Sequence, residues 1–406
     1  MEPERRCSQC GQVIPWSQVE CPRCAERGSF LESLPRETIL LLYIPVLAVL
    51  FVVTGYAAKI YHSKQTALAK EWYLRGEADL EAGKARKAIE DLSEALVYSR
   101  SNRLYRLRLA QAMLAANQVE EARPYLLRLW EQTPGNGTVN LELARLAVRR
   151  GAFPEAVRYF HNAIYGEWDE APPRRRREAR LELAEFLLKA GDKTAAQSDL
   201  IAVAADLPPD PELQTRVGTL FLRAEDYSGA LEIFRQALHL DPRHHTALRG
   251  AGEAAFQMAN YREARRYLEL AVRLNPQDVP AARRLEMTKL ILSVDPLERG
   301  LSSPERTRRV VRAYQQAVER LRGCAQKRGE ALEGQQPMSD LQTAYAQAMQ
   351  MGPRVRETVL RRDSDLLMRT LELVFEIEEL TARDCGPPAD VDLALLLIAR
   401  KRGGAE

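Results

Sequence analysis

The chain has 406 residues, 46% hydrophobic and 28% charged, which is the make-up of folded protein rather than of a disordered segment, and its length calls for two or three folded units. Lys plus Arg number 59 against 56 Asp plus Glu, a net charge of +3 with the signs interspersed, so no overall field selects nucleic acid as the partner. Four of the six cysteines, Cys7, Cys10, Cys21 and Cys24, sit at the amino terminus, whereas Cys324 and Cys385 stand far away, which sets two separate cysteine problems.

Cys7 and Cys10 are two residues apart, as are Cys21 and Cys24, and each pair can close a tight knuckle that presents two thiolates to one metal ion. The intervening Gly11-Gln12-Val13-Ile14-Pro15-Trp16 is too short to fold by burial, so residues 1–30 need metal to order them. The alternative, two disulfides, requires strained bridges across two-residue gaps. Cys-Ser-Gln-Cys-Gly followed by Cys-Pro-Arg-Cys resembles the zinc-ribbon family, with a shorter gap than usual. The resemblance implies a structural zinc, because four cysteines leave no open coordination position for a substrate water.

Residues 39–58 carry no charge and as a helix cover about 30 Å, enough to cross a bilayer. Arg36 and Lys59 bracket the run, Tyr56 and Tyr61 fall at its far interface, and Pro45 and Gly55 are tolerated in spanning helices. A transmembrane helix over 39–60 is therefore expected, retained as an anchor rather than cleaved as a signal peptide. Its flanks are matched in charge: Arg23, Arg27 and Arg36 precede it, and Lys59, Lys64 and Lys70 follow. Thiolate-bound metal persists in a reducing cytosol, so the amino terminus is placed in the cytoplasm and the remainder on the extracytoplasmic, periplasmic side.

From about Ala69 to Pro276 the chain repeats every 34 residues. Ala88, Ala122 and Ala156 keep that interval, as do Ala196, Ala230 and Ala264, while Ala163, Ala237 and Ala271 each follow seven residues later. Leu92, Leu126, Phe160, Leu200, Phe234 and Leu268 share one register position, and Pro134, Pro208, Pro242 and Pro276 close units. About six helical hairpins are predicted over 69–276. The register breaks once, by six residues near 171–176, where Pro172-Pro173 precede Arg174 to Arg177; this insertion reads as a proline-stiffened solvated loop ending in four arginines at a helix start, with a phosphate or acidic-partner site as the alternative.

The motif positions, including Trp72, Gly76, Gly83 and Ala88 in the first unit and Gly218, Phe221, Tyr227, Ala230 and Phe234 in a later one, resemble the tetratricopeptide family. That resemblance implies a solenoid whose first helices line a groove for a peptide or partner protein. In register, the inward positions are Leu141, Arg145, Arg149, Glu185, Lys189, Arg249, Glu253 and Phe256. Thr215, Thr219, Arg249 and Glu253 replace the lysine and asparagine of the family's chaperone-tail clamp, so that ligand is not expected.

Beyond the repeats a capping helix is expected over 277–300 and a further helical region over 301–406, with Val391 to Ala399 a buried closing helix too short to span. Cys324 and Cys385 are a candidate disulfide if this region is extracytoplasmic, and otherwise two separate buried thiols. No nucleotide-binding loop, zinc-protease helix or serine elbow is found, so no enzyme is expected.

The fold class read from the sequence is all-α: a repeat solenoid with a carboxy-terminal helical region, a small zinc ribbon and one transmembrane helix. The expected function is a membrane-anchored scaffold that gathers protein partners at a bacterial-type envelope, its bilayer contact made by residues 39–58. One alternative reverses the topology, with cytoplasmic repeats acting in envelope or lipopolysaccharide assembly control. Another makes the ribbon a nucleic-acid or ribosome reader through Arg5, Arg6, Arg23 and Arg27.

Overall fold

The computed structural model describes residues 4–25, 36–333 and 339–403, and the chain divides into two compact units, 1–156 and 157–406. The first unit begins with a two-stranded antiparallel sheet, β1 (Glu4–Arg6) and β2 (Val13–Pro15), in which Arg5 lies opposite Ile14. A single turn of helix, α1 (Pro22–Ala25), completes the module. Ile14 and Cys21 are its buried apolar residues, an interior far too small to hold the module together.

α2 (Arg36–Glu81) is one helix of 46 residues, about 69 Å long, which takes in both the apolar stretch and the first repeat helix without a break. Its stretch from Tyr43 onward is long and apolar enough to cross a membrane, and Leu41 and residues 43–61 are exposed along it. Burial begins at Ala69 and continues at Tyr73, where α2 packs on α3 (Ala85–Tyr98). The segment Tyr61 to Leu68 contains neither Gly nor Pro, so nothing ends the helix until Gly83, whose φ of +73° makes the turn.

α4 (Arg103–Ala115) and α5 (Val119–Gln132) form the next hairpin, and α6 (Gly137–Arg149) leads to α7 (Phe153–Tyr165), whose sequence holds the division between the units at residue 156. Asn102 and Asn136 cap α4 and α6 by accepting a backbone N–H. Ala88, Leu92 and Ala95 on α3 and Ala122, Leu126 and Leu129 on α5 are buried, since small residues let neighbouring helices approach while leucines fill the space between. Tyr73 and Tyr105 stack with centroids 4.6 Å apart.

In the second unit the hairpins are α8 (Pro172–Ala190) with α9 (Lys193–Ala204), α10 (Pro211–Arg223) with α11 (Tyr227–Leu240), and α12 (His245–Gln257) with α13 (Tyr261–Leu274). α8 has 19 residues where α10 and α12 have 13. The six inserted residues thus lengthen a helix: Arg174 to Arg177 stand at a helix start as expected, but Pro172 and Pro173 belong to the helix and not to the expected loop. Pro172 and Pro173 occupy the first helical positions, where a missing N–H costs nothing. The arginines that follow oppose the helix dipole but are partly offset: Arg174 and Arg175 pair with Glu178, while Arg176 and Arg177 donate to the carbonyls of Gly166 and Asp206.

α14 (Val279–Val294) lies against α13 and also against α19 (Asp390–Gly403), the closing helix. α15 (Ser303–Arg328) packs on α18 (Ser364–Cys385), with α16 (Asp340–Met351) and the short α17 (Glu357–Leu360) beside them. One continuous buried cluster runs from Leu181 to Ala399, so the carboxy-terminal helices share the core of the last hairpins. Cys324 on α15 and Cys385 at the end of α18 are joined by a disulfide, their Cα atoms 5.6 Å apart.

The same helices enclose a charge. Arg320 lies 3.3 Å from Glu378 and 3.5 Å from Asp392, and also donates to Thr381 and to the carbonyl of Gly386. One guanidinium between two carboxylates neutralises only one, and the fully buried Glu378 keeps its proton, its pKa pushed up to about 8 by burial, then by Asp392, against the pull of Arg320. A raised carboxylate stabilises the fold below its unfolded value and loses that contribution as pH rises through 8. Urea unfolding should show about 1 kcal/mol lost between pH 7 and 8. Glu378→Gln, which mimics the neutral acid, should remove that slope; an unchanged slope in the variant would refute the assignment.

Candidate functional sites

The amino-terminal module converges on sulfur. Cys7 directly follows β1, and its N–H donates to the carbonyl of Gln12 at 2.8 Å while its carbonyl accepts Gly11 N–H, closing a turn in which Gly11 takes a φ of +75°. Cys21 precedes α1, and its carbonyl accepts the N–H groups of Cys24 and Ala25. The four sulfurs lie within 4.8 Å of one another, with Cys7 to Cys24 at 3.7 Å and Cys10 to Cys21 at 3.5 Å, and none is bonded to another. A zinc–sulfur distance of about 2.3 Å in a tetrahedron puts sulfurs about 3.8 Å apart, so the cluster has the dimensions of a four-thiolate site.

The thiols respond unequally. Backbone donors at Cys10 and Gln9 hold Cys7 down, to about 6, whereas Cys24 is pushed up to about 12, chiefly by its contact with Cys10 and then by burial. Four sulfurs packed this closely do not all ionise without a cation among them. The four cysteines can hold a metal ion, and they leave no position for a substrate.

Arg5, which sequence reasoning offered to phosphate, instead donates to the carbonyls of Gln18 and Val19 at 2.9 and 2.8 Å and lies over the Trp16 ring. Arg6 and Arg23 are exposed, and Arg27 lies outside the described residues.

The first helices of successive hairpins stand side by side, and polar side chains bridge them. In the first unit Arg108 on α4 meets Glu77 on α2 at 3.0 Å, and Gln111 on α4 donates to Glu142 on α6 at 2.8 Å. In the second, Arg216 on α10 meets Glu185 on α8 at 2.6 Å, and Arg284 on α14 grips Glu253 on α12 with two bonds of 2.7 and 2.9 Å. The partners are 31 residues apart in each bridge, one repeat less one helical turn. That interval is the signal by which the sequence displays the bridges, and the 34-residue register alone passes over it.

These bridges absorb much of the expected groove. Arg145 pairs with Glu142 at 2.8 Å, Arg149 donates to the Leu114 carbonyl, and Arg249 faces Asp278 at 3.5 Å. Leu141 and Phe256 are buried, Phe256 beneath the Arg284 guanidinium, 4.2 Å from the ring centre, so neither offers the inward-facing surface expected of it. Lys189 is exposed at the end of α8. Between α10, α12 and α14 a cavity of about 200 Å³ remains, lined among others by Thr219, Thr246, Arg249, Gly250, Glu253 and Arg284.

One model of the tetratricopeptide repeat matches residues 79–136 and 221–289, and a second matches 141–211. The chain carries tetratricopeptide repeats. Solved structures similar to it include YrrB, a tetratricopeptide protein described as having an unusual peptide-binding site (18% identity, TM-score 0.39, covering 48% of this chain and 97% of that one). Pseudomonas aeruginosa pilF is similar at 15% identity and a TM-score of 0.41, over 54% of this chain and 97% of its own. The carboxy-terminal part of a repeat-containing protein from Cytophaga hutchinsonii is similar at 13% identity and 0.44, over 54% and 86%. No curated protein matches the chain by sequence.

The repeats make a surface for protein or peptide partners, and the bridges show how it is held. Each links one first helix to the next, so the helices do not slide and the residues between them keep fixed spacing. Among the titratable side chains of this surface Glu185 pairs with Arg216, Arg249 with Asp278 and Glu253 with Arg284.

Proposed function

We propose that the chain is a membrane-anchored adaptor whose repeats, residues 69–276, hold protein partners close to the bilayer while a structural zinc ribbon serves the opposite face. The observation that carries this reading is α2, a single helix whose first half is apolar and exposed and whose second half is the first repeat helix. An apolar surface of that length facing water is unfavourable, and hydrocarbon of about 30 Å thickness relieves it. From Ala58 to Ala69 the helix rises about 16 Å, so the repeats stand on a short rigid stalk rather than on a flexible linker.

Sidedness follows from redox chemistry. The Cys324 to Cys385 disulfide belongs in an oxidising compartment and a reduced four-thiolate zinc site in the cytosol, and one spanning helix separates the two. The repeats are then extracytoplasmic and the ribbon cytoplasmic. The commitment of Arg5 to backbone carbonyls weighs against the nucleic-acid reading. In the second unit the groove residues proposed for partner contact are Arg249 and Glu253, which line the cavity, and the exposed Lys189 on α8, with Glu185 tying α8 to α10 and Phe256 packed beneath Arg284; in the first unit, taken by itself, Arg145 and Arg149 are proposed on α6, with Leu141 buried on the same helix.

Two measurements test this. Protease added outside spheroplasts should digest the repeats while the chain resists carbonate extraction from membranes. Non-reducing mass spectrometry should recover the peptides of Cys324 and Cys385 as one linked species. Protected repeats together with two free thiols would reverse the orientation.

A further inference from the structure

The ribbon presents apolar residues that its own fold does not use. Trp16 is 61% exposed and Val19 88%, both in the loop that leaves β2. The loop is nonetheless built. Gln18 N–H donates to the Pro15 carbonyl at 3.0 Å, and the Arg5 guanidinium gathers the carbonyls of Gln18 and Val19 while lying 5.7 Å from the centre of the Trp16 ring. Two consequences follow. The loop is ordered before it meets anything, so docking it costs little conformational entropy. Two of its backbone carbonyls are already bonded within the module, which lowers the penalty for carrying them into a less polar medium.

From this geometry we infer that the Trp16 to Val19 loop docks into the interface of the same bilayer that α2 crosses, seating the zinc ribbon on the membrane surface. The inference rests on the reading of α2 as a spanning helix. Only ten residues, 26–35, separate Ala25 from the start of α2, and fully extended they reach no more than about 40 Å. The ribbon is therefore confined beside the bilayer at an effective concentration in the mM range, where a weak surface preference suffices for occupancy. Tryptophan is the side chain that favours this position, with its ring among the upper acyl chains and its N–H toward the headgroups. Attraction to anionic lipid is not the driving term: in the sequence of residues 4–25 the three arginines, Arg5, Arg6 and Arg23, are nearly offset by Glu4 and Glu20, and the Arg5 guanidinium is turned onto the Gln18 and Val19 carbonyls. The seat should thus form on neutral lipid and persist at high salt, unlike a phosphate-reading surface.

The test uses the full-length, zinc-loaded chain carrying 5-fluorotryptophan, in nanodiscs of neutral phosphatidylcholine, with the Trp16 resonance assigned by its loss in Trp16→Phe. Adding phosphatidylcholine with a nitroxide on its upper acyl chain should remove roughly half or more of the Trp16 fluorine signal at both low and high salt. A Phe51→Trp variant supplies a reporter within the span. If that reporter is broadened and Trp16 is not, the docking inference fails. If neither is broadened, the spanning helix itself fails. Broadening of Trp16 only with anionic lipid and only at low salt would overturn the inference in favour of an electrostatic surface.

Discussion

Replacing Cys10 or Cys21 by serine, or stripping the purified chain of metal with a strong chelator, is expected to unfold residues 4–25 and leave the repeats folded. The asymmetry comes from what each part buries. Ile14 and Cys21 are the buried apolar residues of the ribbon, and a side chain the size of Ile14 contributes only about 1.5–3 kcal/mol. Apparent zinc binding by four-ligand modules contributes about 10–16 kcal/mol at neutral pH, so the metal decides whether the module folds. Elemental analysis should find one zinc per chain, and cobalt in its place should give the visible bands of tetrahedral thiolate coordination. Amide exchange should show the pairing of Arg5 with Ile14 lost with the metal, while α10 to α13 keep their protection. A metal-free chain that retains the strand pairing would refute the structural role. Cys10→Ser is the sharper variant, because Cys10 is exposed and its substitution disturbs no packed interior.

The repeats were legible because their physics is periodic. Where two helices approach closely only a small side chain fits, so Ala88, Ala122, Ala230 and Ala264 mark the register without any knowledge of depth. Depth was the part that register did not carry. Leu141 and Phe256 hold inward positions of the pattern, yet their neighbours close over them, and whether a position on a helix face is covered depends on the lengths of side chains from the next helix, such as Arg284. The inserted prolines misled for a related reason: a pair of prolines reads as a loop, although at the first positions of a helix it costs no hydrogen bond. The joining of the apolar stretch to the first repeat helix is visible in the sequence only as an absence of helix breakers between Tyr61 and Leu68. The four cysteines announced their own site through spacing alone. The packing of α14 on α19 and of α15 on α18 has no repeat behind it, so its partners follow from tertiary contact rather than from pattern.

The repeat interior makes the second large prediction. Phe234 on α11 is fully buried between two glycines, Gly218 on α10 and Gly250 on α12. A Cβ placed on Gly250 would lie 2.2 Å from the Phe234 Cζ and 2.6 Å from its Cε2, and one on Gly218 would lie 2.8 Å from Cε1. The ring thus occupies volume that any other residue at 250 would claim. In an exposed helix Gly→Ala stabilises by about 1 kcal/mol. At 250 overpacking at the top of its usual range of about 1–3 kcal/mol reverses the sign, with Gly250→Ala expected to cost about 2 kcal/mol net. Phe234→Ala removes the ring and leaves a cavity between three helices, at about 3–5 kcal/mol. Because one space is contested, the two changes cannot be independent: Gly250→Ala combined with Phe234→Leu should be less destabilised than the sum of the single variants by 1 kcal/mol or more. Urea titrations followed by circular dichroism measure all four corners of that cycle. Strict additivity would mean that α12 shifts away from the ring at little cost, and the close approach would then lose its role in setting the spacing of the groove helices.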